Sequence, residues 1–240
     1  MKNIFIPLLF LVNFLVFSQD SKITYVASAT NYVKKLKEKN NSKEFLNEQS
    51  SSDVEFTLYI RKKKSYYKKN ESLEIDNNSI NLTAVFAGTG TYYYNLTTNE
   101  NLHERENRLL GSDFLIEYEK INWKLTNETK KIGKYTCLKA TATIMRKHRS
   151  GVRKKKITAW YTPEIPLNFG PKFYNGLPGL ILSVQEDNKL YLTAKFIDLN
   201  PKDKITFQNP PNNSERITFK DYELLLLEKF DQFRKERNKR

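Results

Sequence analysis

The chain has 240 residues and a formal charge of +14, and it contains one cysteine. A single thiol excludes an internal disulfide, so stability must come from an ordinary core, which a chain of this length can bury. The cationic surplus points to acidic partners.

Residues 1–20 read MKNIFIPLLFLVNFLVFSQD: one basic residue, an apolar run from Ile4 to Phe17, then the small Ser18. This is the layout of a secretory signal peptide, and the run is shorter than the roughly 20 apolar residues of a membrane span. The expectation is cleavage after Ser18, an exported mature chain 19–240 forming one domain, and no transmembrane span thereafter. Cys137 lies far from that junction, so an N-terminal lipid anchor is not expected. For an exported chain, acidic partners mean anionic lipid, acidic glycan or an acidic protein face such as that of an outer-membrane protein, rather than nucleic acid.

Beyond this segment the dominant rhythm is period two. From Thr30 a short polar helix is expected. Then Val54, Phe56, Leu58 and Ile60 alternate with polar neighbours, as do Ile80, Leu82, Ala84 and Phe86. Phe114, Ile116 and Tyr118 follow, then Ile121, Trp123 and Leu125, then Leu138, Ala140, Ala142 and Ile144. Ile157, Ala159 and Tyr161 continue the series, and Leu190, Leu192, Ala194 and Phe196 close it. Many short half-buried strands predict a mainly β fold: a curved antiparallel sheet or half-open barrel. The tail differs. Thr218 precedes Asp221 as in a capping box, and Phe219, Tyr222, Leu226, Phe230 and Phe233 form one helical stripe. An amphipathic C-terminal helix is therefore expected to lie on the concave or open face of the sheet.

The stretch GPKFYNGLPGLILSV, residues 170–184, crowds Gly170, Pro171, Gly176, Pro178 and Gly179 before an apolar run. Pro178–Gly179 suits a type II turn, and LILSV suits a strand buried on both faces. With AWYTPEIPLNF upstream (Trp160 and Tyr161 included), WKLTNETKKIGKYTCLKATATI and ITYVASAT, the motif Gly176, Leu177, Pro178, Gly179, Leu180 and Ile181 resembles the GLPGLI family of exported proteins from Gram-negative bacteria. That resemblance implies location and architecture, and no biochemical activity. The layout is also similar, more weakly, to periplasmic lipoprotein carriers, whose curved sheet wraps an apolar pocket. Fold alone does not carry function.

No catalytic, cofactor or metal constellation emerges from the spacing. His103 and His148 sit among charges, away from any nucleophile motif, and read as surface residues. Cys137, within an alternating strand, reads as a packed thiol. Glu104 with Glu106, and Glu117 with Glu119, each share a face amid other charges. The most prominent non-core feature is MRKHRSGVRKKKIT, read as a hairpin with its tip at Ser150–Gly151. Its Arg146, Lys147, Arg149, Arg153, Lys154, Lys155 and Lys156 would project together as a dock for an anionic partner. The leading expectation is an exported, non-enzymatic binding or accessory protein of the bacterial envelope, taking an anionic or apolar ligand. The competing one is an exported hydrolase whose site is assembled from scattered carboxylates.

Overall fold

The computed structural model describes residues 20–39, 50–71, 80–107, 110–148 and 150–237. The expected signal segment, the end of the polar stretch after Lys39, and Arg149 lie outside these. In chain order the elements are β1 (Ser21–Ser28), α1 (Thr30–Lys39), β2 (Val54–Arg61), β3 (Lys64–Lys69), α2 (Leu82–Ala87), β4 (Thr91–Asn95), β5 (Glu100–Asn107) and β6 (Ser112–Glu117). They continue with β7 (Lys124–Ile132), β8 (Tyr135–His148), β9 (Gly151–Thr162), β10 (Leu180–Glu186), β11 (Leu190–Asp198), β12 (Glu215–Thr218) and α3 (Phe219–Arg237).

All twelve strands join one sheet in the order β12-β6-β5-β4-β3-β2-β1-β11-β10-β9-β8-β7. Every pairing is antiparallel except β12 with β6, which is parallel, and the two outer strands do not meet, so the sheet is not closed into a barrel. The series β2 to β6 is a meander, as is β7 to β11, while β1 pairs with β2 on one side and β11 on the other. The register puts one row of side chains on a common face: Ile116, His103, Tyr92, Tyr67, Leu58 and Ile23. This row is buried, and the sheet curls around it.

The curl is visible at the sheet's ends. The first turns of α3 touch both β6 and β8, which stand near opposite edges. Tyr222 packs edge-on to Phe114 of β6 at 5.6 Å between ring centroids, and Arg146 of β8 lies 3.9 Å from the centre of the Phe219 ring. The helix therefore bridges the mouth of the curl. Thr218 caps it as the sequence predicts: its hydroxyl accepts from the Asp221 amide at 3.2 Å and donates to the Asp221 carboxylate at 2.6 Å. The stripe is only half covered, since Phe230 and Phe233 are 44% and 46% exposed.

The interior of the curl is filled by the chain itself. Residues 163–179, between β9 and β10, carry the buried Ile165, Leu167, Phe169, Phe173, Tyr174 and Leu177. Phe169 meets Tyr94 at 5.8 Å, and Phe173 stacks on Tyr118 at 4.3 Å. A buried irregular segment must satisfy its backbone. Here Leu180 donates to the Ile165 carbonyl at 2.9 Å, Ile181 to that of Phe169 at 3.0 Å and Gly176 to that of Asn168 at 3.2 Å. Side chains help: the Asn101 amide donates to the Phe173 carbonyl at 2.8 Å, and the Trp123 indole to that of Asn175 at 3.0 Å.

Several sequence expectations are corrected. Residues 82–87 are helix rather than strand. The Asn81 side chain accepts from the Thr83 and Ala84 amides, starting a single turn and a half that stops at Gly88. Period two over so few residues did not separate the two forms. Ile121 and Trp123 precede β7, Leu125 is 57% exposed, and Phe196 at the far end of β11 is 60% exposed. There the sheet's face has no cover.

Candidate functional site

The GLPGLI-like residues are structural. Leu177, Leu180 and Ile181 are buried, and β10 has core on both faces as its apolar run predicts. The turn is not type II. The Gly179 amide donates to the Leu177 carbonyl at 2.8 Å, a three-residue turn with Pro178 at its centre. Gly179 has φ of +147°, and an added Cβ would stand 2.2 Å from the Thr162 carbonyl oxygen. The glycine serves both conformation and close approach. Tyr161 faces the core, whereas Trp160 points to the outer face, where the Lys130 ammonium sits 4.4 Å from its ring centre.

Below residues 163–179, the plug segment that fills the curl, lies a charge cluster that the sequence reading did not find. Glu186, at 3% exposure, receives Lys172 at 2.7 Å on one carboxylate oxygen and Lys155 on the other. Burial alone would raise the Glu186 pKa, but the two ammonium groups outweigh it and hold the carboxyl at about 2. Burial pulls Lys155 down. Burial and the Glu186 charge push the neighbouring Tyr174 hydroxyl well up. The pattern Lys155, Ile157, Ala159, Tyr161 alternates on one face of β9, so the inward aim of Lys155 was readable from parity. Its partner, 31 residues on, was not.

The basic hairpin is a pair of long strands rather than a loop. Residues β8 and β9 pair out to His148 and Gly151, with Gly151 at φ +105° at the expected tip. Alternation then divides six of the seven charges, Arg149 lying outside the described residues. Arg146 pairs across the ladder with Arg153, and Ile144 with Lys155, on the concave face. Lys147 with Val152, Met145 with Lys154, and Thr143 with Lys156 share the outer face, and all six are exposed. Arg146 and Lys155 therefore leave the proposed dock: the first is packed on aromatic rings, the second is tied to Glu186. Arg153 is exposed and reaches the Ser150 hydroxyl at 3.1 Å.

Arg146 stands in a cleft of about 820 Å³ at the seam where the two ends of the sheet approach. Its guanidinium lies 5.9 Å from the Tyr118 ring centre, 5.7 Å from that of Phe173 and 3.9 Å from that of Phe219. Glu223 is its ion-pair partner at a long 3.7 Å, and Nη1 is buried with no hydrogen bond. Burial raises the Glu223 pKa against the pull of the Lys147 amide and of Arg146. Ile144 and Ile121 add apolar wall. Cation, aromatic faces and open space together suit an anionic head joined to an apolar body.

The histidine expectation is half corrected. His148 is exposed, but His103 is 2% exposed and stacks on Tyr92 at 3.8 Å, its Nε2 donating to the Thr89 carbonyl at 2.7 Å. Burial lowers its pKa to about 3. Cys137 is buried, and burial pushes its thiol up to about 11, so it is a packed, unreactive thiol. Glu104 accepts from the Tyr93 hydroxyl at 2.7 Å, and Glu117 pairs with Arg216 at 3.8 Å. Among the described residues no group of three or more His, Cys, Asp or Glu is placed to hold a metal, and no helix is long and apolar enough to cross a membrane.

Residues 123–155 and 146–183 match the model of a family described as a protein of unknown function (Porph_ging). That stretch runs from Trp123 through β8, β9 and the plug segment. No curated protein matches the chain. Among solved structures, PNGF-II in its C2 crystal form is similar with a TM-score of 0.52 and 18% identity, over 88% of this chain and 33% of that one. Its P21 form gives 0.51 and 19%, over 88% and 34%. This chain thus spans about a third of the length of PNGF-II. LprF from Mycobacterium bovis covers 82% of this chain and 91% of its own at 9% identity and a TM-score of 0.33, too distant to bear on the argument. The β-sheet fold is shared with PNGF-II, and the stretch that the uncharacterised family model matches includes residues 163–179 and Arg146 but not Tyr118, Phe219 or Glu223.

Proposed function

We propose that the chain is an exported, non-enzymatic binding or accessory protein of the Gram-negative envelope, of the GLPGLI kind, whose ligand is an amphiphile with one anionic head. The observation that carries this reading is the seam cleft: Arg146 Nη1, buried without a hydrogen bond, is aimed among Tyr118, Phe173 and Phe219. The interior of the curl is occupied by residues 163–179, so the ligand belongs at the seam rather than in a central pocket. Its head would complete the hydrogen bonding of Arg146, and its apolar body would lie along Ile144 and Phe219.

The test is calorimetric titration of the purified full chain with a long-chain fatty acid. Saturable binding of one equivalent is expected, weakened at least about tenfold by Arg146→Met, which keeps the packing and removes the donor. No saturable binding to the wild-type chain, or equal binding by the variant, overturns the assignment of the site.

A further inference from the structure

Bordering the seam cleft, whose lining takes in Met145, Lys147 and Val152, the outer face of the β8–β9 ribbon carries a second kind of chemistry. Met145 and Val152 are 54% and 60% exposed, among the most exposed large apolar side chains described. They are not scattered. The register places Met145 opposite Lys154 and Val152 opposite Lys147, with Lys156 one step further along the same face. Two apolar side chains thus stand within a group of three exposed lysines on one flat two-stranded surface.

We propose that this face docks on an anionic lipid bilayer, with Lys147, Lys154 and Lys156 at the headgroups and Met145 and Val152 entering the boundary between headgroups and acyl chains. Three arguments favour a bilayer over an acidic protein. Among the described residues no carboxylate forms an ion pair with these ammonium groups, whose opposite neighbours are Met145, Val152 and Thr143; the Asp187 carboxylate accepts instead from the Lys156 backbone amide at 2.8 Å. Lysine is a flexible point charge that suits a fluid sheet of phosphates, whereas arginine is the residue that recognises fixed carboxylates by its planar fork. The arginines described in the ribbon, Arg146 and Arg153, are on the other face. The whole-chain charge of +14 adds long-range attraction to an anionic surface. Arg146 and Lys155 take no part, being committed inward.

The experiment uses the full chain and vesicles of phosphatidylcholine, alone or with about 30% phosphatidylglycerol, in a sedimentation assay at low and physiological salt. Association is expected with the anionic vesicles only. The triple change Lys147→Gln, Lys154→Gln and Lys156→Gln should weaken partitioning roughly 100-fold, at about a factor of five per lysine. A charge-matched control, Lys63→Gln, Lys202→Gln and Lys204→Gln, alters three exposed lysines elsewhere and should change it less than about threefold. Met145→Ser with Val152→Ser should abolish the part of binding that survives physiological salt. Equal losses in the two triples, no effect of the serine pair, or no wild-type binding to anionic vesicles would each overturn the proposal. Because Met145, Lys147 and Val152 also border the seam cleft, fatty-acid titration is run on the same variants, and loss of vesicle binding with fatty-acid binding intact separates the outer face from the seam.

Discussion

The strands β8 and β9 are two regions in one. Toward the start of β8 and the end of β9, Ala140, Ala159 and Tyr161 are closed over by the plug segment and are buried to 3% or less. At the hairpin end the same face carries the exposed His148 and Arg153, and the opposite face the more than half exposed Met145 and Val152. The hydrogen-bonded register is continuous through both regions, so the backbone does not distinguish them. What distinguishes them is cover: residues 163–179 end, and the strands run on into solvent. A ladder built by one rule thus supplies rigidity at one end and a presented surface at the other, and the surface inherits its precision from the core.

The largest way to break this contrast is Gly179→Val. A valine there must take φ of +147° and drive its Cβ against the Thr162 carbonyl. Conformational strain and overpacking each cost about 1–3 kcal/mol, so chemical denaturation should show a loss of roughly 2–6 kcal/mol. An unchanged midpoint would mean that the plug segment does not anchor the inner region.

Neighbouring lysines sharpen the contrast at single-residue scale. Lys155→Gln removes a charged hydrogen bond from buried Glu186 and should cost about 1.5–3 kcal/mol. Lys154→Gln, one residue earlier and on the other face, should stay within about 0.5 kcal/mol. Equal effects, measured by urea unfolding, would contradict the division of the ribbon into two faces.

The inner region should also carry the acid sensitivity. His103 is held at about 3 against an ordinary 6.5, so between those values the unfolded chain binds a proton that the folded chain refuses. Glu186 is held at about 2 against 4.5; the stability it contributes is present above 4.5 and lost as pH falls toward 2. Both act in one direction. Stability should fall from about pH 6.5 downward, with a slope of up to about 1.4 kcal/mol per pH unit for each group while it is within its window. His103→Phe should flatten the profile between pH 6.5 and 4.5 and leave the lower arm. A flat wild-type profile above pH 4.5 would contradict the burial of a neutral imidazole.

These regions differ as much in how legible they were. Alternation in β2, β8, β9 and β11 and the apolar run of β10 announced the strands, and Thr218 with Asp221 announced the start of α3, because each signal is local. The parity of Lys155 was equally local, yet charge alone grouped it with its outward neighbours. His103 and Glu186 were not legible as buried groups: their cover comes from Tyr92, Thr89, Lys172 and Lys155, and no spacing within one element encodes such meetings. The seam cleft was the least accessible of all. It exists only because β6 and β8 are brought to one helix, and nothing along the chain marks Tyr118 and Arg146 as neighbours.

The place of β1 has a kinetic consequence. Lys22 pairs with Asp198 and Ser28 with Tyr191, so the strand nearest the start of the described chain waits in the middle of the sheet for one that follows more than 160 residues later. The meanders β2–β6 and β7–β11 can each zip from hairpin to hairpin, but their union requires closing a loop that encloses nearly the whole protein, and such non-local pairing sets a slow folding step. Until β11 arrives, β1 and β2 present an open edge with Ile23, Tyr25 and Phe56 unshielded. The half-made molecule, with that edge open, is the one at risk of aggregation.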